Sequence, residues 1–183
     1  GCDSIISTNL TVIDIVLSHT SVNIRCNGEN SGSITINNTD GLLRLQYVWS
    51  NGGFGNPIAN IPAGNYTVTV TDAFGCTATS NTVISQPSPL SMQTLFTEPL
   101  CYGEANGTVS VTAQGGVLPY RYLLNNLSSD SGTFSSLVAG TYTAVVRDSN
   151  NCSAQSNVFV TQPDAFELYH EPTVLGTDLG NPL

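Results

Sequence analysis

The chain repeats itself, and that constrains its fold more than any other feature. "CNGENSGSITI" begins at Cys26, and "CYGEANGTVSV" begins at Cys101, 75 positions further on. "AGNYTVTVTDAFGC" ends at Cys76 and "AGTYTAVVRDSNNC" ends at Cys152, 76 positions further on, so one residue is inserted between the two blocks. "SNTVISQP" at 80–87 then matches "SNVFVTQP" at 156–163. A period of this size means tandem units, each closing a core of its own. The junction "QPSPL" at 86–90 reads as a short, stiff linker. Complete modules are expected over 15–87 and 88–163. At the start, Gly1-Cys2 aligns with Gly75-Cys76, and Val12-Ile13 with Val83-Ile84. Residues 1–14 therefore read as the last strand of a preceding module. After the second module, "QPDAFELYHEP" resembles "QPSPLSMQTLFTEP", so 164–183 reads as the start of a following one, with a first strand at 166–171.

Within each module the pattern is that of short strands. Tyr66, Val68 and Val70 alternate with Thr residues, which sends one set to a core and the other to water. Tyr142, Ala144 and Val146 repeat that face, and Ile34 with Ile36 and Val109 with Val111 mark an earlier strand. Tyr47 and Trp49, matched by Tyr122 and Leu124, supply a heavier one. "DAFG" and "DSNN" carry the Asp, Gly and Asn of tight hairpin turns. No long window shows apolar residues at helical spacing. The class is all-β, as tandem immunoglobulin-like β-sandwich modules in a linear array. "IPAGNY" and "LVAGTY" resemble the tyrosine corner of such sandwiches, which gives Tyr66 and Tyr142 a structural role with the hydroxyl bonding back to the backbone.

Charge narrows the function classes. The formal net charge is −9, with four Arg and no Lys, so nucleic acid and anionic membranes are poor partners. No apolar run approaches the roughly 20 residues that cross a bilayer, so membrane insertion is not expected.

The candidate chemistry is sparse. None of the five cysteines sits in C-x-x-C spacing, which argues against zinc or thioredoxin-like sites. Cys26, Cys76, Cys101 and Cys152 recur as two matched pairs, and a small secreted module often needs a staple. The expected bridges are Cys26–Cys76 and Cys101–Cys152, with Cys2 left over. That pairing requires Cys26 to lie early in a split first strand, because the turn before the second strand and the last hairpin normally lie at opposite ends of a sandwich. Free buried thiols and a bridge between modules are the rivals. Glu29 and Glu104 recur beside the first Cys of each pair, and Asp72 and Asp148 just before the second. Brought together, these carboxylates could hold Ca²⁺; the competing reading is that each Asp caps its own turn. His19 and His170 do not recur, and no nucleophile stands in a recognisable relation to them, so no catalytic residue and no enzyme activity are expected. Tyr47 and Trp49 are either a sugar-stacking platform or packing, and packing is the ordinary fate of such a pair.

The motifs "C-x-G-E-x-x-G-[ST]-[IV]", "GGVLPYRY", "AG-x-Y-T" and "D-x-x-[GN]-C" resemble the SprB repeat. That repeat occurs in very large cell-surface adhesins of gliding Bacteroidetes, exported by the type IX secretion system. The likeness spans roughly 21–87 and 96–163; the first module has "NNTDGLLRLQY" in place of the Gly-Gly-x-x-Pro-Tyr element. The resemblance implies an extracellular, array-forming, adhesive role. The chain is then expected to be a stiff repeat spacer of a long surface adhesin or fibre. Its expected partners are neighbouring modules and, laterally, other copies; its surface or glycan ligand is unspecified. The alternative is a glycan- or calcium-binding module accessory to a secreted enzyme.

Overall fold

A computed structural model of the chain describes residues 15–38 and 44–167. All thirteen of its regular elements are strands. In the first module, β1 (Leu17–Val22), β2 (Gly32–Asn38) and β4 (Ile58–Ile61) form one antiparallel sheet, in the order β1-β2-β4. The facing sheet is β3 (Gln46–Trp49), β5 (Gly64–Thr71) and β6 (Thr77–Ile84), in that order. The second module repeats the plan. β7 (Ser91–Thr97), β8 (Gly107–Gln114) and β11 (Thr133–Leu137) form the sheet β11-β8-β7. β9 (Arg121–Leu124), β10 (Leu127–Ser129), β12 (Gly140–Arg147) and β13 (Ser153–Val160) form the sheet β10-β9-β12-β13.

Period-two alternation builds both cores. Ile34 and Ile36 on β2 meet Val68 and Val70 on β5 and Trp49 on β3, all buried. Val109 and Val111 on β8 meet Ala144 and Val146 on β12 and Leu124 on β9. The intervening Thr side chains on β5 are exposed or half-exposed. Gly132 is required where it stands: its φ is +77°, and a Cβ there would lie 2.2 Å from the carbonyl oxygen of Val111.

The first strand of the first module is split. β1 pairs with β2 throughout its length. The chain then crosses to the other sheet, where Ile24 N–H donates to Ser85 O at 3.0 Å and Asn23 Oδ1 accepts from Ser85 N at 3.0 Å. Cys26 therefore comes after the crossing, beside the C-terminal end of β6. The strand read within 1–14 lies outside the described residues, as do 168–171 of the strand read at 166–171; its described part, 166–167, forms no strand.

Candidate functional site

Among the described residues, the first module is tied to the second at one pole by a disulfide and by Asn150 on the Arg25 carbonyl. Asp72 and Asp148 each begin a five-residue hairpin loop. Asp72 Oδ1 accepts from Phe74 N and Cys76 N, both at 2.8 Å. Asp148 Oδ1 accepts from Asn150 N and Cys152 N, both at 2.9 Å, and Oδ2 accepts from Val117 N at 3.0 Å. These carboxylates are occupied by their own turns, and they stand at the hairpin end of the module. Glu29 and Glu104 stand at the other end, where Glu29 accepts from Ser31 Oγ at 3.4 Å and Glu104 from Asn106 Nδ2 at 2.7 Å. Glu29 is thus not brought to Asp72, nor Glu104 to Asp148. Among the described residues, no cluster of three or more His, Cys, Asp or Glu could hold a metal ion.

The disulfide is Cys26–Cys152, with Cα atoms 5.6 Å apart and a sequence separation of 126. Cys76 and Cys101 are free and exposed. The expected intramodular pairs, Cys26–Cys76 and Cys101–Cys152, are not formed, and the split strand shows why. Cys26 lies after the crossing, at one end of β6, while Cys76 lies in the hairpin at the other. Eight strand residues at about 3.3 Å each separate the two poles by roughly 26 Å, far beyond the reach of a disulfide. The hairpin of the second module comes to the Cys26 pole instead. Asn150 Nδ2 donates to Arg25 O at 2.9 Å alongside the bridge.

The Cys26 turn is itself clamped. Gly28, at φ +82°, donates its N–H to Gln86 Oε1 at 2.8 Å, and Asn27 Nδ2 donates to Pro87 O at 2.9 Å. Gly103 makes the same bond to Gln162 Oε1 at 3.0 Å in the second module. The recurring Gln-Pro pair was the sequence signal for this clamp, and its role becomes visible only once the strand crossing is known.

The remaining candidates fall into place individually. Tyr66 Oη donates to Pro62 O at 2.8 Å and Tyr142 Oη to Val138 O at 2.9 Å, each to a backbone carbonyl four residues upstream. Burial raises the Tyr66 pKa above its ordinary value of 10.0. Trp49 is 2% exposed, and its indole N–H donates to Gly55 O at 2.9 Å, so it is core and offers no platform. His19 Nδ1 lies 3.3 Å from Ser80 Oγ across β1 and β6, and no carboxylate among the described residues joins them. The second module carries an open groove of about 820 Å³ beside Tyr120, Arg121, Asp130 and Arg147. Arg121 and Arg147 are directly opposed across β9 and β12. Sequence reasoning had not singled out this groove, because its two arginines are 26 positions apart and only strand register pairs them.

The family model for the SprB repeat matches residues 18–54 and 95–129. No curated protein matches the chain significantly. Among solved structures, it is similar to a C-terminal 282-residue fragment of intimin solved with the intimin-binding domain of the translocated intimin receptor. The identity is 14% and the TM-score 0.48, over 82% of this chain and 64% of that one. The chain is also similar to domains 1–6 of the surface layer protein SbsC, at 15% identity and a TM-score of 0.37, over 84% of this chain and 29% of that one. Immunoglobulin domains 1–5 of Sidekick-1 match at 14% and 0.36, over 82% and 40%. The chain thus spans less than two thirds of the length of these structures.

Proposed function

We propose, from a chain in which two segments match the SprB repeat, that this protein is a spacer segment of an extracellular surface adhesin or fibre. The observation that carries the reading is the joint. Two sandwiches of one design are linked end to end by a bridge between modules, which makes a stiff unit of two beads. A disulfide also suits an oxidising, extracellular setting. Such a segment works by holding other parts of a long protein at a distance, without catalysis. Neighbouring modules are its first partners, and the low charge density leaves its flanks free to lie against other copies.

Single-molecule stretching tests the reading. With the bridge intact, residues between Cys26 and Cys152 stay out of the stretched path, and the segment yields little length. After reduction, unfolding releases roughly 440 Å, from the sequence separation of 126 at about 3.5 Å per residue step. Module-sized extensions without reductant would remove the stiff-spacer reading. The groove at Tyr120, Arg121 and Arg147 favours one second reading, a binding module for an acidic glycan. A thermal-shift screen with glycans, Ca²⁺ and EGTA separates the two: a saturable upward shift with one ligand selects binding, and flat traces select the spacer.

A further inference from the structure

Cys76 and Cys101 are exposed thiols, and each is the repeat counterpart of a cysteine that the joint uses. At the Cys101 pole, Cys101 O accepts from Glu104 N at 3.2 Å, as Cys26 O does from Glu29 N at 3.2 Å. At the Cys76 pole, Cys76 O accepts from Asp72 N at 3.0 Å, as Cys152 O does from Asp148 N at 3.0 Å. The backbone of each free thiol is already shaped like that of its bonded counterpart.

The clefts correspond too. The one beside Cys26 includes Asn27, Pro89 and Leu90, and the hairpin residues Asn151, Cys152 and Ser153 close it. The one beside Cys101, about 460 Å³, includes Tyr102, Ala165 and Phe166 at the same repeat positions, and no hairpin among the described residues lines it. Side-chain character differs between the poles in a matched way. In the formed joint a polar tip, Asn150, donates to the backbone carbonyl of Arg25 at 2.9 Å, and polar Asn27 lines the cleft. In the open cleft Leu100 and Tyr102 replace those two, and Phe166 replaces Leu90; Leu100 and Phe166 are 80% and 88% exposed. On the Cys76 hairpin, Phe74 takes the place of Asn150 and is 90% exposed. Among the described residues, an aromatic tip and an apolar cleft therefore stand exposed at opposite poles.

The geometry points to a disulfide between Cys101 and the Cys76 of a second copy of this repeat pair. Phe74 of that copy would seat in the cleft of Leu100, Tyr102 and Phe166, and the Cys26–Cys152 joint would be propagated head to tail. This rests on the reading of the chain as part of an array. The chemistry balances by exchange with a small-molecule disulfide such as oxidised glutathione. One protein thiolate attacks a sulfur of that disulfide and expels a thiolate, giving a mixed disulfide. The second protein thiolate attacks the mixed disulfide and expels the other small thiolate. Each protein thiol loses its proton, the two protein sulfurs are oxidised, and two small thiols leave reduced.

The test uses the full chain carrying Cys2→Ser, treated with oxidised glutathione in enough salt to screen the −9 net charge. The expected product is a reducible ladder of oligomers in which peptide mapping finds Cys76–Cys101 bridges and retained Cys26–Cys152. Adding Cys76→Ser or Cys101→Ser to this chain leaves each variant monomeric, and mixing those two variants gives a product that stops at the dimer. Phe74→Asn, which keeps both thiols, slows ladder growth about tenfold, equivalent to about 1.4 kcal/mol. A product that stays monomeric overturns the proposal, as do Cys76–Cys76 and Cys101–Cys101 bridges as frequent as the mixed one. Monomer with Cys26–Cys152 intact would leave the spacer reading standing, since stretching decides that separately.

Discussion

Tyr66 shows what one side chain contributes. Its ring closes the core at the entry to β5, and its hydroxyl satisfies the carbonyl of Pro62. Removing the hydroxyl in Tyr66→Phe is expected to cost about 1 kcal/mol. Removing the ring in Tyr66→Ala is expected to cost about 3–5 kcal/mol, as for other buried aromatics; urea titration reads both. The pH dependence has a definite sign. Burial raises the Tyr66 pKa in the folded state, so the fold prefers the protonated phenol. Its contribution is fully present below the unfolded value, near pH 10, and is lost as pH rises through the folded value. Stability should therefore fall above about pH 10, and Tyr66→Phe should lose that part of the decline. An identical alkaline limb in wild type and Tyr66→Phe would assign it elsewhere. This residue was legible in the sequence because strand period two puts Tyr66, Val68 and Val70 on one face whatever surrounds them. The target of its hydroxyl was legible only as "upstream backbone", since an acceptor four residues back depends on the path of the corner.

The elements divide into those that announce themselves and those that do not. β2, β5, β8 and β12 alternate cleanly and can be read from the chain. β4 and β11 cannot, and their burial explains it: Ile58–Ile61 and the end of Thr133–Leu137 bury the first and last of four residues, and both pairings shift register. Asn60 and Ser136, at φ +56° and +58°, mark these irregularities. A bulge breaks the period of two, and with it the signal that sequence reading uses. The two hairpins offer a prediction at this scale. Asp72 accepts two backbone N–H groups. Asp148 accepts three, is buried, and ties its hairpin to Val117 in the loop before β9. Asp148→Ala should cost about 3 kcal/mol and Asp72→Ala about 1 kcal/mol, by denaturant unfolding of each variant. Equal costs would mean that the anchor to Val117 contributes nothing.

At the scale of the whole molecule, two sandwiches are joined by one bridge. Recurrence of the cysteines was plain in the sequence, yet it is the same recurrence whether bridges lie within modules or between them. Only the crossing of residues 23–24 to β6 decides, and no short-range pattern encodes it. Closing a loop of 126 residues stabilises by about 5 kcal/mol on the chain-entropy view, counted against the state with both modules unfolded. Cys26→Ser, or a reductant, should therefore lower the melting temperature and let the modules melt separately in calorimetry; an unchanged melt would show that the bridge is not formed. The same loop changes what it takes to sever the chain. The stretch at 86–90, which connects the two modules, is mostly exposed. Every peptide bond there lies between Cys26 and Cys152, so a single cut leaves both fragments as one covalent molecule that separates on a denaturing gel only after reduction. A cut in this linker is therefore silent, and breaking the strand there needs both hydrolysis and a reductant.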